Sequence, residues 1–94
     1  MKWIILVLAR IGSVTPELEI KMEIMKKISR MFISQPNEKL DDTVFNSTLE
    51  VVANDKKVKE ELLNDLRNIS KSSNVNERER ATKFLLKIAE RRYF

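Results

Sequence analysis

The 94 residues carry 18 Lys and Arg against 14 Asp and Glu, for a net charge of +4, with one Gly, two Pro and neither Cys nor His. A chain of this length supports one domain, residues 1–94, around one core. So few turn formers exclude a sandwich, a barrel or any fold of many hairpins, and the missing Cys and His remove the usual zinc ligands, thiol nucleophiles and the commonest general base.

The first element spans Lys2 to Ile11 and contains Trp3-Ile4-Ile5-Leu6-Val7-Leu8-Ala9, apolar on every side. Periodicity does not separate helix from strand in such a run. Ile4, Ile5, Val7 and Ile11 keep a strand open. Gly12, placed after Arg10-Ile11 like a C′ glycine after a basic last turn, favours a helix. Seven apolar residues fall short of the roughly 20 needed to span a bilayer. Ala9-Arg10-Ile11-Gly12 also makes a poor signal-peptide cleavage site. A buried core segment with no membrane role is expected.

Thr15-Pro16-Glu17 combines an N-cap, a first-turn proline and an acid at the positive helix end. The second helix is expected from Pro16 to about Ile33. Leu18, Met22, Met25, Ser29 and Phe32 share one stripe, and Ile20, Ile24, Ile28 and Met31 form its neighbour. Glu19, Glu23, Lys26, Lys27 and Arg30 take the remaining arc. A helix this apolar should sit centrally, with partners on two sides. Lys21 falls between the stripes, where it either meets an anion or snorkels to water.

Ser34 to Lys39 reads as a loop. A third, amphipathic helix is expected over Asp41 to Ala53, with Val44, Phe45, Thr48, Leu49, Val51 and Val52 inward. Asn46, Ser47 and Glu50 lie opposite, and Asp41-Asp42 supply charge at its N-terminus. A fourth runs from Asp55 to Ser70 on Val58, Leu62, Leu63, Leu66 and Ile69. Its Glu60, Glu61 and Asp65 read as solvated partners of Lys56 and Lys57. After the polar turn Lys71 to Asn76, Asn76 can cap a fifth helix from Glu77 to about Tyr93, with Ala81, Phe84, Leu85, Ile88 and Ala89 packed.

The second and fourth helices superpose with a shift of 38 residues. Ile20, Ile24, Met25, Ile28 and Met31 then meet Val58, Leu62, Leu63, Leu66 and Ile69, and Lys21 meets Lys59. A short helix, a turn and a longer helix recur, with the fifth helix opening a third unit. A two-helix period near 40 belongs to the range of α-solenoids. Asp55-Lys56-Lys57-Val58-Lys59, and more loosely Glu17-Leu18-Glu19-Ile20-Lys21, resemble the start of the inner helix in HEAT and armadillo-like repeats. The likeness covers about residues 2 to 70. The expected fold is all-α, about five helices in antiparallel pairs, as a HEAT-like superhelix or a compact bundle.

No phosphate loop, nucleophile elbow or calcium loop is present. Neither an enzyme nor a cofactor is expected. The most suggestive polar feature is a basic stripe on the fifth helix, Arg80, Lys83, Lys87 and Arg91, extended by Arg92. It could follow a phosphate backbone, although no aromatic residue interleaves it for base stacking. The resemblance to helical repeats implies adaptor or scaffold work on a protein partner. Nucleic-acid binding through the stripe is the alternative. Self-association would cover apolar surface on the first helix and at Met22, Met25, Met31 and Phe32. Tyr93-Phe94 could join the core or plug into another subunit. The absence of Cys suits a reducing compartment, and hence a cytoplasmic location.

Overall fold

The computed structural model describes residues 2–91. Among them run five helices and no strand: α1 (Lys2–Val14), α2 (Leu18–Ser34), α3 (Asp41–Val52), α4 (Lys56–Ile69) and α5 (Val75–Glu90). The helices pack into an all-α bundle with a radius of gyration of 12.2 Å, about the value for a compact chain of this size.

Helix α2 is the hub, touching each of the other four helices. Its two stripes explain this. Ile24, Met25, Ile28, Ser29, Phe32 and Ile33 are all buried, and Leu18, Met22 and Met31 are partly so. Helices α1 and α3 pack on one side of it and on each other, while α4 and α5 pack on the other. Phe32 of α2, Phe45 of α3 and Phe84 of α5 meet at the centre. Ring centroids lie 5.0 Å apart for both Phe32–Phe84, edge to face, and Phe45–Phe84, the geometry that aromatic quadrupoles favour.

Side-chain caps set the starts of α4 and α5. The Asp55 carboxylate accepts from the Val58 N–H at 3.1 Å and caps α4. Asn74 accepts from the Glu77 N–H and starts α5 at Val75, two residues before the expected Glu77, because the earlier Asn takes the capping role. Helix α2 begins at Leu18 rather than Pro16, with Glu17 and not Thr15 at the N-cap position and no side-chain cap. The Thr15 hydroxyl accepts the Glu17 N–H at 3.3 Å, within an extended connector that a following proline favours.

The first helix departs furthest from expectation. Only Ile5, Ala9 and Gly12 of α1 are buried, and the rest of this apolar segment is half-buried or exposed. Gly12 is not a C′ residue, since α1 continues through it to Val14. Its role is close approach. A Cβ there would lie 2.9 Å from Val51 Cγ2 and 3.0 Å from Ile24 Cγ2. The lone glycine thus seats α1 against α2 and α3 together. Two smaller differences follow from packing. Ser47 is buried although the helical spacing sets it on the polar side of α3, and Ala89 is exposed rather than packed.

Val51 and Ile24 are buried and β-branched, with stiff χ1 angles that cannot swing aside. Overpacking in Gly12→Ala should therefore cost roughly 2 kcal/mol against a helix-propensity gain of ~1 kcal/mol, leaving a net loss of about 1 kcal/mol. A lower urea midpoint with unchanged m-value would show it, and a raised midpoint would contradict the tight contact.

Candidate interaction surfaces

The basic stripe of α5 lies alongside the N-terminal half of α3. Arg80 is the most enclosed. Its Nε donates to the Phe32 carbonyl at 2.9 Å, and its Nη2 donates to Asp41 Oδ1 at 2.6 Å. The guanidinium stands 4.1 Å from the Phe32 ring centroid. The Phe32 carbonyl lies in the last turn of α2, where carbonyls lack partners within the helix. Arg80 therefore satisfies a helix end, a carboxylate and an aromatic face at once.

The remaining cations continue along the same seam. Lys83 Nζ lies 3.6 Å from Asp41 Oδ2 and Lys87 Nζ 3.3 Å from Asp42 Oδ1. Lys87 also stands 5.4 Å from the Phe45 centroid. Arg91, just past α5, donates to Asn46 Oδ1 and stacks 4.8 Å from the Phe45 centroid. The structure brings Arg80, Lys83, Lys87 and Arg91 together against Asp41 and Asp42. Arg92 and Tyr93-Phe94 lie outside the described residues.

Asp41 thus faces two cations across a helix contact as well as the positive end of its own helix. This pairing joins positions 39 residues apart, a separation at which no local pattern signals contact. A similar surprise links α2 and α4. Glu61 pairs with Lys26 at 3.1 Å and Asp65 with Arg30 at 2.8 Å. Both carboxylates reach across to α2, where the spacing suggested solvated pairs within α4. Lys21 is half-buried on α2.

The second surface is the outside of α1. Ile4, Val7, Ile11 and Val14 recur at i, i+3, i+7 and i+10, with Trp3 and Leu6 beside them. Trp3 is 67% exposed, Val14 69%, and the other four between 43% and 48%. This is an a/d-type seam three and four residues apart. The sequence points to apolar surface on this helix as material for self-association but does not say which side of it faces out; of the other residues in that expectation, Met25 and Phe32 are buried. The all-round apolar character of the helix signals the surface and carries no direction.

A shallow cleft of about 290 Å³ lies between the α2 C-terminus and the α5 N-terminus, lined by Ile33, Pro36, Asn74, Glu77 and Arg80 among others. Among the described residues no three Asp or Glu side chains converge to hold a metal ion. Nor, among them, is any helix long and apolar enough to cross a membrane. No protein-family model matches this chain, and no curated protein or solved structure matches it either.

The two kinds of ion pair should separate by mutation. The Asp41 and Arg80 side chains are only 10% and 16% exposed, so Asp41→Asn should cost roughly 2 kcal/mol by leaving a desolvated guanidinium without its anion. A cycle with Arg80→Leu should return a coupling of at least about 1 kcal/mol. Glu61→Gln, at a more exposed pair, should cost less than about 1 kcal/mol. Equal effects at the two sites, measured by denaturant unfolding, would refute the distinction.

Proposed function

We propose that the protein is a non-catalytic interaction module of helical-repeat type, acting as an adaptor or scaffold in a reducing compartment such as the cytoplasm. The observation that carries this reading is the outer face of α1. Monomeric proteins rarely leave contiguous apolar surface beyond a few hundred Å², and six large apolar side chains stand together there. A helix that is apolar all round belongs inside an assembly, and the remaining four helices cover only one side of it.

Packing also supports the repeat reading. Helices α1 and α3 lie side by side, as do α2 and α4, the neighbours that a 38-residue shift pairs. Ile24 and Ile28 are buried like their counterparts Leu62 and Leu66, whereas Ile20 is exposed where Val58 is buried and Met25 is buried where Leu63 is only partly so. Contact between α3 and α4 is slight, and α5 folds back onto α2, which makes the array compact.

Nucleic-acid binding through α5 has weaker support, because Arg80, Lys83, Lys87 and Arg91 already face Asp41, Asp42, Asn46 and two aromatic rings. The half-exposed Lys83 is the feature that most favours it.

A photoreactive side chain at Val7 or Ile11 should crosslink to protein in cell extract, and the same probe at exposed Lys71 should not. Val7→Arg should abolish the adduct. Absence of any α1 adduct, together with DNA or RNA affinity that falls steeply with salt, would overturn this reading in favour of the alternative.

A further inference from the structure

We propose that α4 and α5 form a hinged unit that opens from α1–α3 as one body, with the ion pairs between the two units acting as its latch. This device is independent of what docks on α1.

Packing divides the described helices in two. Helices α1, α2 and α3 each pack on the other two, and α4 and α5 pack on each other. The α4–α5 hairpin meets the first unit mainly through α2. Its contact with α3 is slight at α4 and rests at α5 on Phe84 and on long cations. One link, Ala53-Asn54-Asp55, joins the units. Ala53 and Asn54 are exposed, and a few such residues suffice to absorb a change of backbone angles.

Charge gathers on the boundary. Lys26 and Arg30 of α2 reach Glu61 and Asp65 of α4. Arg80, Lys83 and Lys87 of α5 reach Asp41 and Asp42 of α3. Inside the first unit, among the described residues, Arg10–Glu50 at 4.0 Å is the one ion pair between helices. Apart from Arg80–Asp41, each boundary pair has a solvent-exposed partner, so water and salt compete for its charges. Asp65 Oδ2 is buried at this boundary with no hydrogen-bond partner among the described residues. A desolvated acceptor left unsatisfied raises the free energy of the closed form, and opening hydrates it. Against this stand Val58, Leu62, Leu66 and Phe84, all fully buried, which keep the closed form dominant. The open form is a minor state in which Phe32 and Phe45 lose the ring of Phe84 that covers them.

Native-state hydrogen exchange of the full chain tests this. In a single all-or-none unit the slowest amides of every helix share one opening free energy. Here the slowest amides of α4 and α5 should share one value, with protection at least about tenfold below that of α2 and α3. Gly12→Ala acts inside the first unit, which is present in the open and closed forms alike. It should lower α2 and α3 protection about fivefold and leave that of α4 and α5 unaltered. Arg30→Gln combined with Lys83→Gln loosens both edges of the latch and should lower α4–α5 protection about fivefold. Raising NaCl from about 0.05 M to about 0.5 M should act in the same direction.

One shared opening free energy across α2 to α5 overturns the proposal. So does α4–α5 protection that follows Gly12→Ala, or that is indifferent to salt or to the double variant.

Discussion

Helix α2 must bury two adjacent apolar stripes, and the whole arrangement follows from that constraint. One covering helix would leave the second stripe in water, so neighbours are required on both sides. Helices α1 and α3 take one side, and α4 and α5 the other. Each fully buried Leu or Ile along these contacts contributes roughly 2 kcal/mol. Three phenylalanines from α2, α3 and α5 fill the space where the two sides meet.

Charge then adds direction to how the outer helices lie on that hub, chiefly at the enclosed Arg80–Asp41 pair. Arg80 ties α5 to the end of α2 and the start of α3 through a carbonyl, a carboxylate and a ring face. Lys26 and Arg30 tie α2 to α4. Apolar contact is nondirectional and would tolerate sliding between helices. A guanidinium fork holds both angle and register, so the polar seams supply the specificity that greasy stripes lack.

The same geometry leaves α1 half-used. Gly12 lets it approach Val51 and Ile24 closely, which secures its inner face. Nothing among the described helices covers the other. The asymmetry separates a face that belongs to the fold from one left exposed. The contrast with α5 is instructive, since its cations turn inward to acids of the same chain, whereas the outer side chains of α1 have no such internal use.

Helix content was legible in the residues themselves. The 3,4 spacing of Val58, Leu62, Leu66 and Ile69, the Asp55 cap and the double stripe of α2 are local properties, encoded within a few turns. Contacts between distant positions were not. Asp41 reads as an N-terminal acid whichever helix comes to face it, and Asp65 reads as a surface charge until α2 lies beside it. In an all-round apolar segment such as α1, periodicity carries no direction, so which side is inward depends on where the neighbours are. The chain's own order of residues determined four helices and the central place of α2, and left the first segment open between helix and strand, because an all-round apolar run has no period to read. Tertiary packing alone decided which cations meet which acids and which half of α1 remains in water, because those outcomes depend on helix positions that no local spacing specifies.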